Sequence, residues 1–144
     1  MSRLPGRVLG VDLGTRRIGL ALSDPTGTIA SPLLVLQRGR RVADDRRRIV
    51  EIARSEGAAR IVVGLPLSLT GRTGPAARAA LAEVEELRAV AGPDLPVESH
   101  DERLTTVTAE RSLQEAKMRR DARRRVVDKV AAAVMLQSWL ETHR

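Results

Sequence analysis

Asp12, Asp101, Glu102 and Asp128 carry most of the chemistry that this sequence offers. Asp12 lies near the end of RVLGVDL, an otherwise apolar run where a charged side chain needs a partner, because an isolated buried carboxylate is costly. Its structural alternative is a cap on the turn at Gly14. Asp101 and Glu102 are adjacent at the end of a second extended run. Strand alternation sends neighbours to opposite faces, so only one of them faces a shared site, and the sequence does not say which. Asp101 could instead cap a following helix, and Glu102 could pair with Arg103. Asp128 is followed by Ala131, Ala132, Met135 and Trp139, a helical spacing that puts the acid on an apolar face. Its alternative is to complement a helix N-terminus through the macrodipole. Carboxylates brought together without a cation repel and raise one another's pKa. Mg²⁺ or Mn²⁺ relieves this, since hard cations prefer carboxylate oxygens. Such ions can activate a water and stabilise the leaving oxygen in phosphodiester hydrolysis.

Around the acids the chain is basic. Its net charge is +7, and the only lysines are Lys117 and Lys129. Arginine forks match phosphate geometry, and a basic domain favours polyanions. A GC-rich genome would produce the same arginine-rich, alanine-rich composition. Arg119, Arg120, Arg123, Arg124 and Arg125 precede Asp128 and are expected to hold a nucleic-acid backbone beside the cut, positioning it without reading sequence. Thr15 and Arg17, beside Asp12, either contact phosphate or shape the turn. Arg72 lies in a glycine-rich loop that could touch substrate, and Arg103 could neutralise Glu102 or a phosphate. A second cluster, Arg38, Arg40, Arg41, Arg46, Arg47 and Arg48, fits a substrate surface and a solvated helix face equally well.

Several classes are excluded. There is no cysteine, so disulfides, thiolate nucleophiles and Cys-type zinc sites are absent. Trp139 is the only aromatic among Phe, Trp and Tyr, which argues against base stacking as a main binding mode. The glycines of residues 64–74 lack the spacing and the lysine of a phosphate loop. Ser99-His100-Asp101 is no triad, because neighbours on a strand diverge. No apolar run reaches the ~20 residues of a membrane span, and the N-terminus lacks a signal peptide. The expectation is a cytoplasmic protein without membrane contact.

The elements that must position these residues follow from periodicity. With 144 residues and 42% hydrophobic content, the chain is expected to form a single domain over 1–144. Strands are predicted at Arg7–Leu13, Arg17–Ser23, Ile29–Leu36, Arg60–Gly64 and Val97–Asp101. Helices are predicted at Val42–Glu56, Pro75–Val90, Leu104–Lys117 and about Val126–Leu140, with Asp128 at the start of the last. Leu65–Gly74 reads as a loop and Arg119–Arg125 as a basic connector. Strands in a meander followed by α/β alternation predict an α/β domain with a five-stranded mixed sheet, its first three strands antiparallel, flanked by helices.

VLGVDLGTRRIGLALSD (Val8–Asp24), VVGLPLSLTGRTGP (Val62–Pro75), DERLTT (Asp101–Thr106) and VVDKVAAAVMLQSWL (Val126–Leu140) occur in this order. Together they resemble the YqgF family, also called RuvX, of pre-16S rRNA nucleases or Holliday-junction-resolvase-like proteins. The resemblance covers nearly the whole chain. It implies a ribonuclease H-like fold and a metal site that maps onto Asp12, Asp128 and an acid within Asp101-Glu102, with Glu102 preferred. It also implies Mg²⁺ or Mn²⁺ as cofactor and a role in 5′-end maturation of 16S rRNA. Pre-rRNA or branched DNA would be the partner, with the ribosome as a further one, and the protein a monomer or weak homodimer. The alternatives are a Holliday junction resolvase and a non-catalytic RNA-binding assembly factor. The D-x-G-T motif is also similar to that of actin-like ATPases, but those close two domains over ATP.

Overall fold

The computed structural model describes residues 6–14, 16–65, 75–101 and 120–143. Within them β1 (Arg7–Leu13), β2 (Arg17–Ser23), β3 (Ala30–Gln37), β4 (Ala58–Leu65) and β5 (Val97–Asp101) form one sheet. The strand order is β3-β2-β1-β4-β5. β1 pairs antiparallel with β2, and β2 with β3, while β4 is parallel to β1 and β5 parallel to β4. The predicted mixed sheet with an antiparallel meander is therefore observed. Pro32 sits on β3, an edge strand, where its missing N–H is tolerated. The register slips between Leu20 and Ala21 opposite it.

Strand alternation divides the sheet into two apolar faces. Leu9, Val11, Ile18, Leu20, Ile61 and Val63 pack with α1 (Val42–Ser55) and α2 (Pro75–Ala91), through Ile49, Ala53, Val84 and Leu87. Val8, Ala21 and Val62 face the other way, onto Ala132, Met135, Leu136 and Trp139 of α3 (Arg120–Thr142). Both cores are aliphatic apart from Trp139. That ring is 1% exposed, stacks on His143 at 4.2 Å, and lies 5.8 Å from the Arg60 guanidinium. The only aromatic is thus spent on packing and is closed to bases.

The last helix corrects the sequence reading. It begins at Arg120, so Arg120–Arg125 are helical turns rather than a connector, and Asp128 stands in the interior rather than at the start. Arginine is a good helix former, and the run contains no Gly or Pro to stop it. The sequence alone suggests a helix only from the first apolar position, Val126, and a basic connector before it. More than two turns lie between Arg120 and Asp128, so an N-terminal macrodipole role no longer accounts for that acid. The predicted Leu104–Lys117 helix lies outside the described residues.

The turn after β2 rests on one carboxylate. Asp24 accepts from the amides of Thr28 at 2.7 Å, Ile29 at 2.8 Å and Thr26 at 3.3 Å, and from the Thr26 hydroxyl. Gly27 completes the turn at φ 69°. These donors, Ile29 N–H and the Thr26 hydroxyl foremost, hold the Asp24 carboxyl far below the usual carboxylate range. A lowered folded-state pKa stabilises the fold above the unfolded value, ~3.9, and that contribution drains away as pH falls towards the folded value. Asp24→Ala is therefore expected to lower the urea midpoint at pH 7, with the gap to wild type narrowing progressively below about pH 4. A gap independent of pH would contradict this.

Candidate active site

Asp12 is half-buried near the carboxyl end of β1. It follows Val8 and Gly10 in the alternation and so belongs to the α3 face. Its cross-strand partners are Gly19 on β2 and Gly64 on β4, and Gly64 pairs in turn with His100 on β5. The row across the sheet at this level is thus Gly19, Asp12, Gly64, His100. The residues directly opposite Asp12 on both adjacent strands are glycines, which bring no side chain of their own to this level of the sheet. A backbone without Cβ lets a ligand or another segment come near. Glycine inside a strand commonly marks such a close approach.

Small residues also set how α3 meets the sheet. A Cβ at Gly10 would come within 2.9 Å of Leu136 Cβ, 3.2 Å of Leu136 Cδ2 and 3.4 Å of the Ala132 carbonyl oxygen. The helix backbone therefore rides directly on β1. Gln137 marks its direction: its amide bonds Ala30 N at 2.8 Å and Thr28 O at 3.0 Å, beside the end of β2 that pairs near the start of β1. Trp139, against Arg60, lies towards the same end. From there α3 runs back over Gly10, antiparallel to β1. Position 128 is one turn before Ala132, ~6 Å along the axis. Asp12 is two residues beyond Gly10, ~6.7 Å along the strand. Both acids therefore belong to the carboxyl end of β1, where ligands bind in sheets of this kind.

The pleat of β5 sorts its side chains between the two faces of the sheet. Val97 packs in the α1–α2 core. Glu98 pairs with Arg60, and His100 is 6% exposed with Nε2 3.4 Å from Ser138 Oγ on α3. Even-numbered positions of β5 therefore face α3. Asp101 closes β5, and Glu102 lies outside the described residues. Ser99 is exposed while His100 is buried, so the two diverge as expected.

Arg17 opens β2 at the same edge of the sheet as Asp12 and accepts the Gly14 amide on its carbonyl at 2.9 Å. Arg120 and Arg124 share the i, i+4 stripe of Asp128, Ala132 and Leu136, and Arg123 lies off it. Thr15, Arg72, Arg103 and Arg119 lie outside the described residues. Much of the second arginine cluster is engaged within the protein. Arg38 binds Glu83, Arg46 binds Glu86, Arg47 binds Asp44, and Arg48 approaches Asp45.

The sequence reading missed Gly19, Gly64 and His100 as parts of this surface. The signal was present in the glycines of RIGLALS and RIVVG, each interrupting an apolar strand. The donor chemistry fits a hard cation: a half-buried carboxylate beside two glycines, in a chain with no thiolate. Among the described residues no three His, Asp or Glu side chains cluster as a metal set, and of the predicted ligands only Asp12 has its side chain among them.

The fold is similar to that of RuvC, a ribonuclease H-like protein. Thermus thermophilus RuvC in complex with a Holliday junction substrate superposes with a TM-score of 0.58 at 15% identity, covering 95% of this chain and 96% of that one. A second Thermus thermophilus RuvC structure gives 0.52 at 17% identity, with coverage of 95% and 96%. Sequence relatives are much nearer. A Roseiflexus protein named "Putative pre-16S rRNA nuclease" is 44% identical over 144 residues, the whole of both chains. A Symbiobacterium thermophilum protein of the same name is 47% identical over 135 residues, covering 94% of this chain and 92% of that one. The family model described as "RuvX: Holliday junction resolvase" matches residues 6–142. That match spans both acid-bearing elements and every strand of the sheet, and the chain belongs to the RuvX family.

Proposed function

We propose that this protein is a divalent-metal-dependent nuclease that hydrolyses phosphodiester bonds in maturation of the 5′ end of pre-16S rRNA. The observation that carries the reading is the glycine-flanked Asp12 at the end of β1, on the face over which α3 runs in close contact. The names of its relatives supply the substrate. Asp12, Asp128 and Glu102 are assigned as metal ligands, with Glu102 preferred to Asp101 as the resemblance to the family implies. These carboxylates would hold Mg²⁺ or Mn²⁺, which supplies an activated water and stabilises the leaving oxygen. Arg120 and Arg124, on the stripe of Asp128, hold the RNA backbone on one side of the site. Thr15, Arg17, Arg72 and Arg103 are assigned as further substrate contacts. The protein acts in the cytoplasm, as a monomer or weak homodimer with the ribosome as a further partner. Among the described residues no helix is long and apolar enough to cross a membrane.

The test is cleavage of a precursor 16S 5′ leader beside a four-way DNA junction, with Mn²⁺, Mg²⁺ or EDTA. Cutting of the leader alone, abolished by EDTA, is expected. Paired cuts in the junction by a stable dimer would make the protein a resolvase, since symmetric cutting needs a two-fold assembly. Salt-sensitive RNA binding with no cutting would make it an assembly factor.

A further inference from the structure

Arg38 makes a set of contacts that surface charge does not require. It follows β3, yet it grips the β1–β2 turn from two sides. Its amide donates to Arg16 O at 2.9 Å, and its Nε donates to Gly14 O at 3.0 Å. The rest of the guanidinium forks onto Glu83 of α2, Nη1 to Oε2 and Nη2 to Oε1, each at 3.0 Å. Nη1 is also 3.7 Å from Asp45 of α1, a carboxylate 1% exposed that accepts the Gly39 amide at 2.8 Å. One side chain thus ties the turn that begins two residues after Asp12 to both helices on the far face of the sheet. The turn itself is tight. Gly14 N donates to Arg17 O at 2.9 Å, and a Cβ at Gly14 would meet that oxygen at 2.4 Å.

We propose that Arg38 is a positioning residue for the Asp12 site, fixing the Gly14–Arg17 turn so that Asp12 and Arg17 keep their places at the sheet edge. The proposal rests on the nuclease reading for its catalytic consequence, but the clamp can be tested without it. A planar guanidinium serves a carbonyl and a carboxylate fork at once, and an ammonium cannot. Arg38→Lys should therefore behave like Arg38→Ala.

The control is Arg54, which performs a similar tie at the opposite end of the sheet. It bonds Asp94 Oδ2 at 3.0 Å and Ala91 O at 2.7 Å, joining α1 to the segment before β5. In Arg38→Ala and Arg38→Lys, kcat on the pre-16S leader should fall ~10–100-fold with KM changed less than ~3-fold, because Asp12 shifts while Thr15 and Arg17 are only two of several substrate contacts, the others lying outside this turn. Amide exchange at Gly14 should accelerate. Arg54→Ala should lower Tm but keep kcat within ~3-fold and leave Gly14 exchange unchanged. Unchanged Gly14 exchange in Arg38→Ala overturns the proposal. So does faster exchange with kcat retained, or an equal kcat loss in Arg54→Ala. Inactive wild-type protein would count against the nuclease reading instead, and the exchange comparison would still decide whether Arg38 holds the turn.

Discussion

Asp12→Asn is expected to remove at least ~10³-fold of kcat, the equivalent of ~4 kcal/mol of transition-state stabilisation, which is of the order a bound metal supplies. The substitution is nearly isosteric. The main-chain pairing of residue 12 with Gly19 and Gly64 involves no side-chain atom, so the sheet should form as before. What changes is the charge. Asparagine offers one neutral oxygen where the carboxylate offers two anionic ones, and hard cations bind by charge. Circular dichroism should therefore match wild type while cleavage is lost. RNA binding should persist with its salt dependence, because that depends on arginine contacts to phosphate. Cleavage within ~10-fold of wild type would mean that Asp12 does not hold the metal.

The second large effect joins packing to the site. Gly10→Val places a branched side chain where even a Cβ meets Leu136 Cβ at 2.9 Å. That atom is fixed to the helix backbone and cannot rotate away, so α3 must move outward. Overpacking of this kind costs about 2–3 kcal/mol, a fall in Tm of ~5–10 °C for a domain of this size. Position 128 moves with the helix, and Asp12 stays on β1. A misplacement of ~1 Å between reacting groups can cost ~10²-fold in rate, so activity should fall by about that much at temperatures where the variant is still folded. Leu136→Gly, which removes that Cβ, should recover part of both losses in the Gly10→Val background, whereas alone it opens a cavity in a fully buried site. Additive losses in the double variant would show that Gly10 and Leu136 are not the contact that sets the helix height.

Much of this architecture is legible in the residues. Alternation in RVLGVDL and RIGLALS marks the central hairpin, and VESHD matches β5 residue for residue. Asp12 is legible because a lone charge on an apolar strand demands an explanation. The start of α3 is less so, since the arginine run carries no apolar periodicity to mark it as helix. The clamp on the β1–β2 turn cannot be read at all. Arg38, Asp45 and Glu83 belong to separate elements, and only the packing of α1 against α2 brings their side chains together. The choice between Asp101 and Glu102 is not made by the residues themselves: alternation states only that neighbours on a strand diverge, and Glu102 lies outside the described residues.

The most direct test of the central claim is a Mn²⁺ titration of the purified protein followed by electron paramagnetic resonance, comparing wild type with Asp12→Asn and Asp128→Asn. The account predicts saturable binding in wild type, with affinity reduced ~10-fold or more in each variant because both carboxylates serve one site. Binding of Mn²⁺ at wild-type affinity by either variant would contradict it.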